Sequence, residues 1–445
     1  MNENKRTLVY AGAAVALAIL AIIVAPKRIT SDVFLDQGDQ FYPLFTDPNE
    51  AQTLEVIEYD EETGSAVPFK VTFEDGLWRI PSHYDYPADA EEHLAQAAAG
   101  LIGLEKDDYR GNSVSALESF GLIDPTDQTA GLSGRGTRIS IRGQGDEVLA
   151  DFIIGNEVEG KPSFRFVRVP NSNRVYATKV DVDLSTRFRD WIDTDLLQLA
   201  KHEIEMIVIN DYSINERTRS IDQRDMITLS RRDDGSWEAD KMGSGKMIDT
   251  TLIRKMLNTL DSLLIVGVRP KPAGLSAGLV AEEGGRDISQ SDAMSLQSKG
   301  FYFGSDGRLL SNEGEMQVMT DDGIVYTLRF GEVVFGSDEG ADEAESSTEN
   351  RYLFVSADFE PSLLPEPPKP TDTSFVGKPD SLLTERDKEN QRLKKAHDRW
   401  RGDVLLGQNL ARELNERFAE WYYIISSESY DKLHRTRADL VVNRK

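Results

Sequence analysis

The chain contains no cysteine among its 445 residues. Disulfide bonds, thiolate metal sites and cysteine nucleophiles are therefore excluded. Histidine is also scarce, and no two of the five histidines form the H-x-H or H-x-x-x-H pairs that bind zinc. Zinc is therefore not indicated. Because the sequence also lacks a supported phosphate-loop or dinucleotide-binding motif, we predict no metal site, no cofactor and no catalytic residue.

Basic residues are the second shortage. The chain has 51 Lys and Arg against 77 Asp and Glu, which gives a net charge of −26. Because a phosphate backbone is bound by clustered Lys and Arg, we predict that nucleic acid is not a partner. The length exceeds that of a single hydrophobic core, so two or three soluble units are expected.

One long run lacks charge and proline altogether, from Leu8 to Ala25. As a helix it would be about 27 Å long, which matches the hydrocarbon core of a bilayer. The sequence therefore predicts a short basic tail at 1–7 and a transmembrane anchor at 8–25. A cleaved signal peptide is the alternative.

The orientation of this anchor rests on flanking charge. Lys5 and Arg6 precede it, while Lys27 and Arg28 follow it, so the two sides are nearly balanced. We predict a single-pass protein of the cell membrane with a cytoplasmic N-terminus and an extracytoplasmic bulk.

Two segments of the remaining chain have similar sequences. VTFEDGLWRI ends at Ile80 and ITLSRRDDGSWEA ends at Ala239, and each reads as a β-hairpin that carries a tryptophan, Trp78 or Trp237. A helix is predicted after each hairpin, capped by Asp89 or by Asp249. We assign structural roles to these four residues.

Stretches rich in β-forming residues follow both helices, which predicts a domain duplication. The expected fold class is α+β: an N-terminal transmembrane helix, two duplicated α+β lobes, each with a hairpin, a helix pair and a small antiparallel sheet, and a C-terminal helical segment. The predicted boundaries are a linker at 26–50, a first lobe at 51–200 and a second lobe at 201–360 with an acidic loop at 336–350.

The C-terminal part is predicted to be a proline-rich linker at 361–380 followed by a helical region at 381–445. Apolar residues recur there at helical spacing, and this face either packs on the lobes or docks a partner. The candidate docking residues are Trp400, Phe418, Trp421 and Tyr422.

A single motif matches an enzyme pattern. Residues Gly274 to Gly278 read G-x-S-x-G, as in the nucleophile elbow of serine hydrolases, with Ser276 as the nucleophile. Two prolines in the preceding VRPKPA are unlike the strand that the elbow requires. A serine hydrolase using Ser276 is therefore kept only as an alternative.

The DGLW hairpin, the helix after it, the FGL element at Phe120, the IIG strand at Ile153 and the N-terminal anchor together resemble the bacterial family catalogued as domain of unknown function 4340. This resemblance implies a membrane-anchored envelope protein associated with ABC-transporter permease and ATPase components and with gliding-motility-type auxiliary proteins. It implies no catalytic residue. The leading functional hypothesis is a non-enzymatic accessory subunit of such a complex, and the alternative is an extracytoplasmic module that binds glycan or peptide.

Overall fold

The computed structural model describes residues 17, 35–180, 182, 184–215, 217–218, 220–272, 274–275, 279, 288–335, 349–418 and 420–444. Within them the chain forms 21 strands in four antiparallel sheets. Up to residue 183 the elements are β1 (Thr53–Asp60), β2 (Ser65–Glu74), β3 (Leu77–Ile80), β4 (Tyr86–Pro87), α1 (Glu91–Leu101), β5 (Asp108–Gly111), α2 (Leu117–Phe120), β6 (Thr137–Arg142), β7 (Val148–Glu157), β8 (Phe164–Arg168) and β9 (Val175–Lys179).

The later elements begin at Ile204. They are β10 (Ile204–Asn215), β11 (Ser220–Arg231), β12 (Trp237–Ala239), β13 (Lys246–Ile248), α3 (Thr250–Asp261), β14 (Gly267–Pro270), α4 (Gln290–Ser298), β15 (Phe301–Phe303), β16 (Leu309–Ser311), β17 (Glu315–Thr320), β18 (Ile324–Phe335), β19 (Glu349–Phe359), α5 (Glu385–Phe418), β20 (Trp421–Ser426), α6 (Ser427–Leu433), α7 (Arg437–Leu440) and β21 (Val441–Asn443).

The chain divides into two compact units. Unit 1 comprises the described residues of Met1–Ala51, Ile57–Ala66 and Ala95–Asp183, and unit 2 comprises those of Gln52–Val56, Val67–Leu94 and Leu184–Lys445. Strands β1 and β2 and helix α1 carry residues of both units.

Unit 1 contains the antiparallel strand order β6-β7-β8-β9-β5. Its core is a cluster of buried side chains from α2, β7 and β9 and the turn after α2: Leu117, Leu122, Ile153 and Val175. Arg138 on β6 binds the carboxylate of Asp151 on β7 through two guanidinium nitrogens, Nε at 3.0 Å and Nη2 at 2.8 Å. The apolar cluster and this charge-assisted pair together fix the register between β6 and β7.

Unit 2 contains the hairpin β2-β3 and an eight-stranded sheet of order β12-β11-β10-β17-β18-β19-β20-β14. The hairpin turns at Asp75 and Gly76, whose φ angles of 53° and 82° are those of a type I′ turn. In the larger sheet the order β17-β18-β19-β20-β14 repeats the pattern of unit 1, because four consecutive strands are followed by one that precedes them in sequence.

A second apolar cluster in unit 2 lies between this sheet and the elements α4, β15 and β16, and it includes Leu275 and Leu279. Its buried members are Leu275, Leu279, Leu296, Phe301, Leu309, Phe354 and Tyr422. The rings of Phe301 and Phe354 meet edge to face at 4.7 Å, and burial of each ring stabilises the fold by about 2 kcal/mol. This cluster holds α4 and the β15-β16 hairpin on the sheet.

The predicted α+β fold class, with a helix pair and a small antiparallel sheet in each lobe, is wrong, because the structure is mostly β, with 37% of the described residues in strands. Each lobe was expected to carry a small separate sheet, but the sheet in the second lobe has eight strands. The C-terminal region is not simply helical either. Strand β20 lies inside the eight-stranded sheet, and β21 pairs with β13 in register Lys246↔Asn443.

The predicted transmembrane helix at 8–25 lies outside the described residues except for Leu17. Among the helices that are described, none combines the length and apolar character needed to cross a membrane. The acidic loop predicted at 336–350 is likewise described only at Glu349 and Asn350, which begin β19.

Candidate functional site

A groove of about 640 Å³ is formed in unit 2 by helix α5, the turn between β17 and β18, and Leu364. We name it the acidic groove. Its lining residues are Asp321, Asp322, Leu364, Asp403, Leu406, Gly407, Asn409, Leu410 and Glu413. The lining residues come from three separate stretches of sequence, so the groove forms only when the chain is folded.

The floor of the acidic groove is a rigid turn. Gly323 takes a φ of 86°, and the backbone N–H of Ile324 donates to the Thr320 hydroxyl at 3.1 Å. The N–H of Asp321 donates to the carbonyl of Glu203 at 2.9 Å. The Asp322 carboxylate accepts from the Thr320 hydroxyl and from the N–H of Ile324, and Asp321 and Asp322 both stay exposed.

One wall is helix α5, which approaches the turn closely because of Gly407. A Cβ atom at this position would lie 2.7 Å from Cδ2 of Phe359 and 2.9 Å from the carbonyl oxygen of Asp322. Asn415 fixes the helix further, since its side chain accepts from and donates to the backbone of Ala357 on β19. Only glycine therefore permits this separation of helix and turn.

The segment 361–380, predicted as a linker, lies against the first half of α5. Lys378 binds the buried carboxylate of Asp387 at 2.8 Å. The N–H of Thr371 donates to the side chain of Asn390 at 2.9 Å. The indole of Trp400 donates to the carbonyl of Leu364 at 2.8 Å, which places Leu364 in the acidic groove.

The lining carries four carboxylates and no Lys or Arg. Leu406 is 68% exposed, and Leu364 and Leu410 are half-buried. An exposed leucine beside carboxylates is complementary to a ligand that presents both cationic and apolar side chains. The acidic groove thus has the chemistry to bind a basic, apolar polypeptide segment.

Comparison with protein families identifies part of the chain. Residues 78–278 match the family described as Domain of unknown function (DUF4340). The matched stretch, which is less than half of the chain, identifies a DUF4340 region. Neither the curated proteins nor the solved structures contain a match. The DUF4340 match ends before Asp321, so the acidic groove is built from residues beyond it.

The predicted docking residues of this chain are mostly buried. Phe418, Trp421 and Tyr422 are at most 7% exposed, and the ring of Trp421 meets that of Tyr86 at 5.0 Å. Trp400 is half-buried. These side chains stabilise unit 2. The exposed residues of the acidic groove were not predicted from the sequence, because the only pattern that they show is helical spacing on α5.

The predicted structural residues occupy different environments. Trp78 is half-buried and lies 5.1 Å from the ring of Phe73 across the hairpin, and Trp237 is half-buried on β12. Asp249 caps α3 by accepting from two backbone N–H groups, whereas Asp89 donates its own N–H to the carbonyl of Trp191. Ser276 lies outside the described residues, which contain no group of three or more metal-ligating side chains.

A second polar cluster joins the C-terminal segment to the eight-stranded sheet. The imidazole of His434 stacks on Tyr430 at 4.9 Å, and its Nε2 lies 3.9 Å from the Asp211 carboxylate. The Tyr430 hydroxyl donates to Glu313 at 3.1 Å, and Arg351 stacks over the Tyr430 ring at 4.0 Å. Burial lowers the pKa of His434, and the carboxylates of Asp211 and Glu313 oppose this effect.

We expect His434 to make the stability of unit 2 pH-dependent. Its pKa is lower in the folded chain than the ordinary value of 6.5, so below that pH the unfolded chain binds more protons. Stability should therefore fall as the pH drops from about 6.5 towards the folded pKa. When denaturation is measured at several pH values, the free energy of unfolding should fall less steeply with decreasing pH for His434→Gln than for wild type. Equal slopes of this free energy against pH would contradict the prediction.

Proposed function

We propose that this chain is a non-catalytic accessory protein that binds a basic, apolar segment of a protein partner in the acidic groove. The observation that carries the proposal is the set of four carboxylates, two on α5 and two on the adjacent turn, around the exposed Leu406. A groove beside a helix is a common docking site for an amphipathic helix, whose apolar residues fall on one face.

The partner that we propose is a subunit of an ABC-type transport or gliding-motility-like complex. The sequence resemblance supports this choice, since it implies permease, ATPase and auxiliary envelope components as neighbours. We further propose that residues 8–25 anchor the chain in the cell membrane and that the bulk is extracytoplasmic. The hydrophobic length of that run supports the anchor.

Charge reversal in the acidic groove tests the proposal. The double variant Asp403→Lys/Glu413→Lys changes both charges on α5, whereas Glu389→Lys/Glu416→Lys makes the same total change at exposed α5 positions outside the groove lining. The proteins would be expressed with the native neighbouring genes, extracted in mild detergent and analysed by quantitative mass spectrometry.

We expect wild type and the control variant to recover an ABC permease subunit, and the groove variant to recover at least about tenfold less. The reason is that like charges facing each other across an interface cost several kcal/mol. Equal recovery by both variants would show that the groove is not the docking site. Recovery of no permease by cross-linked wild type would overturn the proposed partnership.

A further inference from the structure

Five side chains of unit 2, none of them in the acidic groove, converge on one face of the eight-stranded sheet and are named the tyrosine–cation cluster: Tyr84, Arg269, Lys299, Tyr352 and Tyr422. Arg269 on β14 is paired with Tyr422 on β20, and Tyr352 on β19 is paired with Ile424. Because alternate residues of a strand share a face, Tyr422 and Ile424 point to the same side. Arg269, Tyr422 and Tyr352 therefore share that side.

The distances bring all five groups together. The rings of Tyr352 and Tyr422 meet at 5.7 Å, and Nζ of Lys299 lies 6.0 Å from the centre of each. The guanidinium of Arg269 lies 5.6 Å from the ring of Tyr84. Each cation is thus placed at the face of a tyrosine.

These groups also influence one another's pKa. Burial lowers the pKa of Lys299, and the positive charge of Arg269 lowers it further. Burial raises the pKa of Tyr422, which Tyr352 and Tyr84 also raise and Arg269 opposes. Two cations and three phenol groups therefore act on one another, in a chain whose overall charge is −26.

The backbone at Tyr84 is strained. Tyr84 and Asp85 have φ angles of 61° and 59°, in the left-handed region that bulky residues rarely occupy. Tyr84 is nevertheless 49% exposed, so burial of its own ring does not account for this conformation. Strain of this kind concentrates at binding sites.

We propose that the tyrosine–cation cluster binds an oxyanion, a carboxylate or a phosphate, carried by a small polar ligand such as an acidic sugar. Arg269 donates to the carbonyl of Val268 and Lys299 to that of Ser295, and an anion would accept further charge-assisted hydrogen bonds from both cations. Tyrosine hydroxyls can donate to the same group, and the exposed Tyr84 ring offers an apolar face for a sugar. The proposal uses none of the residues of the acidic groove and stands or falls independently of it.

Calorimetric titration of the full chain tests this assignment with three probes: inorganic phosphate, glucuronic acid and neutral glucose. Binding of phosphate and glucuronic acid supports a general oxyanion site, and binding of one of them alone identifies the accepted group. Absence of binding by both probes, or glucose binding equal to glucuronic acid binding, overturns the proposal.

The variants Arg269→Gln and Lys299→Gln should each weaken the bound probe at least tenfold, whereas Arg254→Gln, at an exposed position on α3, should not. Tyr84→Phe keeps the ring and removes the exposed hydroxyl, so it provides a mild test if a charge variant does not fold. Unchanged affinity in the folded Lys299→Gln and Tyr84→Phe variants would place any binding elsewhere and overturn the site.

Discussion

Gly155→Ala is expected to lower the free energy of unfolding by about 3 kcal/mol, the upper end of the usual cost of overpacking. Gly155 lies on β7, and its Cβ would lie 2.7 Å from the carbonyl oxygen of Gly121 and still closer to that of Phe120. These obstacles are backbone atoms, which cannot rotate away. Because the φ of Gly155 is not in the left-handed region, the loss would come from packing and not from backbone conformation.

A strand glycine also packs closely against a turn in the eight-stranded sheet. Gly331 on β18 faces the turn after α4, where a Cβ would lie closest to the carbonyl oxygen of Lys299 and 2.6 Å from Cζ of Phe301. Gly331→Ala should therefore be destabilising for the same reason, because the nearest obstacle is again a backbone carbonyl. Gly121 and Gly300, which form the two turns, both have positive φ angles, of 67° and 84°.

Denaturation by urea can measure both variants, but with different probes. The tryptophans all belong to unit 2: Trp78, Trp191, Trp237, Trp400 and Trp421. Their fluorescence suits Gly331→Ala, whereas Gly155→Ala in unit 1 requires circular dichroism or hydrogen exchange. Gly131→Ala is the control, because its Cβ would meet no atom within 4 Å. Equal stability of Gly155→Ala and Gly131→Ala would contradict the expected clash.

Local features of this fold are readable in the sequence. The Asp-Gly pair at 75 and 76 is followed by alternating residues, and the hairpin there has Glu74 opposite Leu77. The cap at Asp249 similarly depends on the next three residues alone. Turns and caps are encoded within a few positions, so a short window of sequence contains the information that they need.

Strand β20 illustrates what such a window misses. Apolar residues recur at helical steps up to Phe418, and that spacing continues to Trp421 and Ile425, which suggested one helix. Helix α5 instead ends at Phe418, and WYYIIS forms a strand between β19 and β14. A central strand is buried on both faces, so its apolar residues show no alternation with polar ones. Its neighbour β14 lies about 150 positions earlier, and the periodicity of one sequence does not reveal such a distant pairing.

The acidic groove was unpredictable for a related reason. In a chain with 77 acidic residues, the Asp321-Asp322 pair and the separate Asp403 and Glu413 are not distinctive by composition. They become a site because Gly407 lets the helix approach the turn and because Trp400 holds Leu364 beside them. Each of these contacts joins residues whose pairing depends on the folded sheet.

Phe418→Ala is expected to lower the free energy of unfolding of unit 2 by about 3–5 kcal/mol, as is usual when a buried phenylalanine is truncated. The side chain is 0% exposed and meets the ring of Tyr423 edge to face at 6.2 Å. Removing it would leave a cavity where α5 joins β20. Trp421 is three residues away, so tryptophan fluorescence during denaturation should follow the loss.

Leu405→Ala on the same helix is the matched control, because Leu405 is 60% exposed and does not line the acidic groove. Its effect on stability should stay within about 0.5 kcal/mol. Phe418 was predicted from sequence as a docking residue, whereas the structure places it in the core. The docking role and the core role predict opposite results. If Phe418→Ala has wild-type stability but recovers less of the partner, Phe418 is a docking residue. If the variant unfolds at a lower denaturant concentration but recovers the partner normally while folded, Phe418 is a core residue.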